Sequence, residues 1–395
     1  MNRAPVLVQK FGGTSVSTPE RRAQVVEHVR RARAEGYDVT IVVSAMGRRG
    51  EPYATDTLLD LLRSDGGPVA PADYDLMFSC GETIAAAIVS QALTRAGIPA
   101  VGLTSAQAHI YTDGLHVEAS ITEIDTARLV SLMSAGQVPV VTGGQGVAPA
   151  TLDVTTLGRG GSDTSGVALG AALGARRVDI FTDVDGVAVA DPRVVPGARF
   201  LARVSYASMY ELARFGAKVV HPRALATGWS SRTPIVVRST LSNAPGTLVA
   251  EVEDESPLVG LALLPPMDTV VLPAGAVDLE TRASWEQVRL VMSLADDGGE
   301  QLLVGAADDK SSELRAALSE TAAQPTRPAE RCCWLSVIGD AAALEEHHPR
   351  WVKRFGDHAV TLRAHELTER RCTYVIPEAA RAAAASLIYE AFGKL

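Results

Sequence analysis

Cysteine is scarce. Four residues in 395, Cys80, Cys332, Cys333 and Cys372, carry no metal-ligand spacing, and the adjacent pair is a poor bridge, so reduced thiols are expected and no metal site is. No apolar run reaches the roughly 18 residues that a bilayer crossing needs. The start leads from Met1 to Arg3 straight into the strand-like VLVQKF, without a secretory pattern, and the expected address is the cytoplasm. Basic residues form no stripe, and 46 acidic side chains against 37 basic ones leave a net charge of -9, which argues against nucleic acid or a membrane as partner. The G-x-x-x-x-G-K-[ST] spacing of a P-loop is missing, as is any low-complexity tract. Small molecules are the partners left.

What is present is a chain with 47% hydrophobic residues, long enough for two or three domains. Up to about residue 245, short β-branched runs (VTIVVSA, VPVVTG, RVDIFTD, TPIVVRS) alternate with Ala/Leu segments of helical period. That pattern predicts an α/β domain, a parallel sheet with helices on both faces. A break at Asn243 to Ser256 is followed by two units of similar build, 256–323 and 331–395, separated by AAQPTRPAE. Each reads as strand, helix, strand, strand, helix. Such a duplicated small α+β module suits sensing or dimerisation beside a catalytic part.

The chemistry gathers in the first part. VQKFGGTSVST brings a strand through Lys10 into Gly12-Gly13 and then into a helix near Pro19, a turn with bare backbone amides and a cation beside it, which can hold phosphate or be an ordinary tight βα turn. VVSAMG ends a second strand at Ser44, at the edge where open α/β sheets place ligands. In SCGETIAAAIVSQAL a Gly81-Glu82 pair is expected to start a helix, Glu82 either complementing the dipole or receiving an ammonium group. LGRGGSDTSGVALGAALGA places Arg159, whose planar fork suits a carboxylate, among Gly158, Gly160 and Gly161, and puts Asp163 near a helix N-terminus. RVDIFTD ends in Thr182-Asp183, and the turn after it is acidic and glycine-bearing. FGAKVVHPRA places Lys218 on an expected helix, as a snorkelling surface residue or a cation reserved for phosphates. His221 is expected to cap or pack beside Pro222, and Trp285, Trp334 and Trp351 to be core or interface residues.

Taken in order, KFGGTSV, VVSAMG, GE, TTLGRGGSDTS, FTDVDGV, ADPR and FGAKVVHPRA resemble the aspartate kinases of the amino-acid-kinase superfamily over about residues 5 to 250. The loop SAMGRRGEPYATDTLLDLL looks most like the subgroup typified by diaminopimelate-sensitive bacilli enzymes. The resemblance implies an amino-acid-kinase three-layer sandwich with a mostly parallel sheet, followed by two ACT domains of ferredoxin-like α+β build. It implies ATP with Mg²⁺ and L-aspartate as substrates, and pairing of chains into a homodimer or higher oligomer through the ACT domains. Carried onto this sequence, it gives Lys10 and Lys218 to phosphate charge, and Gly12, Gly13 and Ser44 to the reacting carboxylate and γ-phosphoryl region. Arg159 takes the substrate α-carboxylate, with Glu82 and Asp163 near the α-amino group and Thr14 and Ser162 beside the substrate. Thr182, Asp183, Asp185, Gly186 and Arg193 line the nucleotide site. A carboxylate is already a nucleophile, so Lys10, Asp163 and Lys218 would act by alignment and charge rather than as bases.

Three departures bear on that likeness. Gly144 stands where the family usually has phenylalanine before Gln-Gly, and His109 and Tyr111 are bulky for their segment. Neither LPAGAVDLETRASWEQV nor VIGDAAALEEHHPRWVKRF has the common Pro-Gly-x-Ala turn of effector-binding ACT modules, so weak or absent feedback inhibition is expected. The leading reading is an aspartate 4-kinase. A kinase for another amino-acid carboxylate and a non-catalytic amino-acid sensor stand beside it, the latter opposed by the retained Lys10, Asp163 and Lys218.

Overall fold

A computed structural model of the chain describes residues 4–64, 66–273, 290–296, 299–306 and 330–392, with backbone alone at 273, 290–296 and 299–306. Trp285, the first ACT turn at 274–288 and most of the AAQPTRPAE connection lie outside the described residues. The chain divides into two units: 1–187, 200–210 and 218–253 in the first, and 188–199, 211–217 and 254–395 in the second. Two short excursions before residue 220 thus join the second unit, which no single boundary in the sequence captures.

The first unit begins β1 (Val6–Phe11), α1 (Gly13–Val16), α2 (Pro19–Ala34), β2 (Asp38–Val43), α3 (Thr55–Leu62), α4 (Pro71–Arg95) and β3 (Ala100–Leu103). It continues β4 (Ile110–Thr112), β5 (Ile121–Ile124), α5 (Ala127–Ser134), β6 (Val138–Thr142), β7 (Gln145–Val147), β8 (Val154–Thr156), α6 (Gly161–Leu173) and β9 (Arg177–Thr182). Then come β10 (Arg203–Ser205), α7 (Tyr206–Arg214), whose residues from Glu211 on count with the second unit, α8 (Pro222–Ser231), β11 (Ile235–Ser239) and β12 (Thr247–Ala250). One sheet has the order β10-β12-β11-β9-β1-β2-β6-β3 and is parallel except between β11 and β12, as the alternating pattern predicts. A smaller sheet runs β5-β4-β7-β8.

Strand periodicity decides which side chains meet which layer. On β1, Leu7 and Phe11 join Ile41 and Val43 under Val25, Val29, Ala85, Val89 and Leu93 of α2 and α4. The alternate residue Lys10 faces α6, where a Cβ on Gly166 would lie 3.2 Å from the Lys10 Cβ. Thr18 caps α2 through the Arg21 amide, and Pro19 sits in its first turn, where a missing N–H costs nothing. α4 is long and apolar enough by composition to cross a membrane, a feature that a search for uninterrupted apolar runs passes over. It packs on β3, β6 and β8, with Asp75 and Glu82 on its buried face.

The second unit contains β13 (Leu258–Leu263), β14 (Met267–Pro273), β15 (Leu290–Asp296), β16 (Gly299–Ala306), β17 (Glu330–Gly339), α9 (Ala341–Asp357), β18 (Ala364–Leu367), β19 (Arg371–Pro377) and α10 (Arg381–Tyr389). From β17 onward this is the strand, helix, strand, strand, helix order read from the sequence. Its sheet runs β15-β16-β14-β17-β19-β18, with β13 also antiparallel to β17. Trp334 and Trp351 are fully buried, and Trp351 and Phe355 of α9 meet Tyr374 of β19 edge to face. All four cysteines are free; Cys332 and Cys372 are buried, and desolvation pushes each thiol up to about 11, which keeps them protonated and inert.

Because α4 is anchored mainly by its apolar face, Leu93→Ala is expected to lower stability by about 2 to 5 kcal/mol, read from urea unfolding. A loss below about 1 kcal/mol would contradict this placement of the core.

Candidate active site

Parallel strands deliver their carboxyl ends to one edge. Gly12 N–H donates to the Phe181 carbonyl at 3.2 Å, Ser44 N–H to Phe11 at 3.2 Å and Gly143 N–H to Val43 at 2.9 Å, so the chain leaves β9, β1, β2 and β6 side by side. The bare backbone here is a packing requirement. A Cβ on Gly13 would lie 2.2 Å from the Ala45 carbonyl oxygen, and one on Gly160, at φ 70°, would lie 2.0 Å from the His221 ring.

Two charges meet inside this edge. Lys10 and Asp163 are 8% and 9% exposed, and Lys10 Nζ lies 2.6 Å from Asp163 Oδ1. Asp163 lies in the first turn of α6, where the helix dipole favours an anion, and its other oxygen accepts from the His221 amide at 3.3 Å. His221 caps α8 as expected: Nδ1 accepts from the Arg223 N–H at 3.3 Å, and burial lowers its basicity. Beside the pair, Ser44 Oγ donates to Ser162 Oγ at 2.8 Å, and Gly144 N–H donates to Ser165 Oγ at 3.0 Å. Gly144 adopts φ 73°, a conformation glycine takes without strain.

Glu82 corrects its expected setting. Gly81 and Glu82 lie in the middle of α4, not at a helix start, so the dipole reading falls. Glu82 Oε1 accepts the Ala45 amide at 3.1 Å, while Oε2 is buried with no hydrogen-bond partner among the described residues. Desolvation outweighs the backbone hydrogen bonds and pushes its carboxyl up to about 8. Such a group is neutral when alone and ready to ionise beside an arriving cation.

Lys218 also differs from expectation. It is exposed in the turn between α7 and α8 rather than on a helix, because the run that suggested helix is broken after Arg214 by Phe215-Gly216. Arg159 is exposed just before α6. Thr14 and Ser162 are half-buried, at the starts of α1 and α6. Thr182 donates to Asp183 at 3.1 Å, and Asp183 meets Arg48 at 3.3 Å across an exposed pair of small energetic weight. Asp185 accepts from the Ser242 hydroxyl, and Gly186 is buried, where a Cβ would lie 2.5 Å from Thr247 Oγ1. Arg193 belongs to the second unit, where it forks onto Asp191, NH2 to Oδ2 at 2.8 Å. Tyr111 stands in β4 opposite Glu123 and Val147, and His109 meets Asp125 at 3.3 Å.

Two residues around this edge escape sequence reasoning. Asp75 is fully buried and accepts from Val117 N–H, His116 Nδ1 at 2.8 Å and the Thr156 hydroxyl. Arg223 donates to the Leu157 and Ala119 carbonyls. The available signal was spacing: Asp75 and Glu82, seven apart, fall on one face of a helix.

The family model of the amino acid kinase family matches residues 5–239. The chain belongs to that family. Bacillus subtilis aspartokinase 1 is 50% identical over 244 residues, 62% of this chain and 60% of the relative. Pseudomonas aeruginosa aspartokinase is 45% identical over 250 residues, 63% and 59% of the two chains. These matches thus span about 60% of the length of those curated relatives. An aspartate kinase from Synechocystis is 32% identical, with 98% of this chain and 69% of that one covered at a TM-score of 0.57. The fold is that of E. coli aspartokinase III, crystallised with aspartate and ADP: TM-score 0.78 over 98% of this chain and 99% of that one, at 22% identity. The C-terminal sheet and helices fit the extra ACT region of that fold.

Glu82 gives a pH test. Its carboxyl titrates near 4.5 when unburied and about 8 in the fold, so between these values the folded family member keeps a proton that the unfolded chain releases. The stability contributed by this group is full below 4.5 and is lost as pH rises through about 8. Glu82→Gln is therefore expected to gain melting temperature relative to the parent as pH climbs over that range, with no further gain above it. A difference independent of pH would contradict the burial.

Proposed function

We propose that the chain is an ATP-dependent aspartate kinase that moves the γ-phosphoryl group of ATP to the side-chain carboxylate of L-aspartate. The observation that carries this is the buried Lys10–Asp163 pair at the carboxyl edge, with Ser44, Ser162 and Glu82 around it, in a chain 50% identical to an aspartokinase over 244 residues. A carboxylate oxygen attacks the γ-phosphorus, the bond to the bridging oxygen breaks, and ADP leaves. No proton is moved in this step. The site must align two anions and offset their repulsion, the work of Lys10, Lys218 and the Gly12-Gly13 backbone, with Mg²⁺ arriving on the ATP phosphates as part of the substrate.

In this reading Arg159 holds the α-carboxylate, and the α-ammonium lies between Glu82 and Asp163, with Thr14 and Ser162 beside the substrate. Its charge favours ionised Glu82, so binding aspartate releases a proton from that residue. Thr182, Asp183, Asp185 and Gly186 serve the nucleotide. The catalytic domain lies within residues 1–245, and 256–323 and 331–395 are the two ACT domains, which pair chains into a homodimer or larger assembly in the cytoplasm. Asp340 supports an effector-poor second module: its carboxylate caps α9 at the Ala343 amide, 2.7 Å away, occupying a donor that an incoming anion would need.

Trapping the acyl phosphate with hydroxylamine tests the reading. Aspartate is expected to give hydroxamate and ADP in equal amounts, and glutamate or 2-aminoadipate little; product from another acid with none from aspartate would overturn the assignment. Lys10→Ala is expected to lower kcat by about 10³-fold while the circular dichroism spectrum is kept. Lysine, threonine and diaminopimelate at millimolar concentration are expected to leave the rate nearly unchanged, and strong inhibition by any one would refute the effector-poor reading.

A further inference from the structure

The most constrained feature near the site belongs to no step of the transfer. Asp75 is 0% exposed, and its carboxylate accepts the Val117 amide on both oxygens, at 3.1 and 3.0 Å, besides His116 and the Thr156 hydroxyl. Val117 is β-branched yet sits at φ 72°, a conformation such residues keep only where their surroundings impose it. The turn it makes is laid on the strand that leads into the arginine loop. Ala119 N–H donates to Thr156 at 2.8 Å, and a Cβ on Gly158, itself at φ 71°, would lie 3.1 Å from the Val117 carbonyl oxygen. Arg223 bridges the same two segments through the Ala119 and Leu157 carbonyls. Arg159 follows two residues after Leu157.

We propose that Asp75 is a positioning residue for amino-acid binding: by holding Val117 in its left-handed turn, it fixes the 157–160 loop and with it the arginine that receives the substrate carboxylate. This deepens the reading above and rests on the assignment of Arg159. α4 then serves the amino-acid side of the site twice, Glu82 gripping the Ala45 amide and Asp75 gripping the Val117 amide, two helical turns apart on one buried face. Among the described residues none of those assigned to the nucleotide hydrogen-bonds to Asp75 or Val117, so the role is expected to fall mainly on one substrate.

The test is a double-mutant cycle in the full chain, with KM measured for each substrate. Asp75→Asn keeps the shape but replaces one acceptor with a donor. It is expected to raise KM for aspartate by about tenfold or more, with KM for ATP within about twofold and kcat within a few-fold. In a Val117→Gly background the same replacement is expected to cost less than about threefold, because glycine takes the left-handed turn without being held. Equal effects in both backgrounds, an unchanged KM for aspartate, or matched rises for both substrates would overturn the proposal. Should Asp75→Asn alone fail to fold, Gly158→Ala carries the test by pressing on the Val117 carbonyl: a rise in KM for aspartate alone supports the role, and no rise refutes it. A parent enzyme that does not turn over aspartate at all would sink the substrate assignment and this role with it, whereas normal turnover with unmoved variants sinks the role alone.

Discussion

The buried contact between Lys10 and Asp163 is the constraint around which the catalytic unit is arranged. Neither charge could remain away from water without the other, and a pair of this kind adds little net stability because desolvation offsets the attraction. Its presence needs a reason beyond folding. The fold supplies the geometry for it: β1 brings the lysine up from the face turned toward α6, and the first turn of α6 supplies the carboxylate together with favourable amide dipoles. Gly166 lets the lysine stem pass, while Gly160 lets the chain turn under His221. A phosphoryl group entering such a place finds a cation whose position is already set, so little reorganisation accompanies transfer.

Around that pair the site is held by backbone amides more than by long side chains. Ala45 is tied to Glu82, Gly144 to Ser165, and Val117 to Asp75, each a loop amide caught by a side chain from a helix packed on the sheet. The loops are thereby fixed by the rigid layers beneath them, while the cations Arg159 and Lys218 are exposed. Glu82 adds a second property. Its carboxyl is kept neutral by burial, and in the proposed reading an incoming ammonium ionises it, so that substrate capture would release a proton.

Much of this was legible in the sequence because local rules and the tertiary fold agree. The alternation of β-branched runs with helical segments implied the parallel sheet, and the glycine pairs after β1 and before α6 implied turns with exposed amides. Reasoning from residues failed where a local cue had two tertiary outcomes. Gly81-Glu82 resembles a helix start, yet the preceding YDLMFSC stretch is itself helical, so the glycine is an internal contact: a Cβ there would lie 2.7 Å from the Ala45 side chain. Lys218 sits in apolar company that reads as helix, but Gly216 takes φ 128° and ends it. Asp75 and Arg223 were missed because the backbone groups they hold lie between 42 and 104 residues away, a separation that no sequence window spans.

In the proposed function one glycine-lined sheet edge presses an amino-acid carboxylate against the terminal phosphate of ATP, with Lys10 between the two anions. Crystals grown with ADP and aspartate measure this directly. The nucleotide's terminal phosphate is expected within hydrogen-bonding reach of Lys10 Nζ, and the amino acid's α-carboxylate on Arg159. Either ligand bound elsewhere, with Lys10 still closed on Asp163 alone, would contradict it.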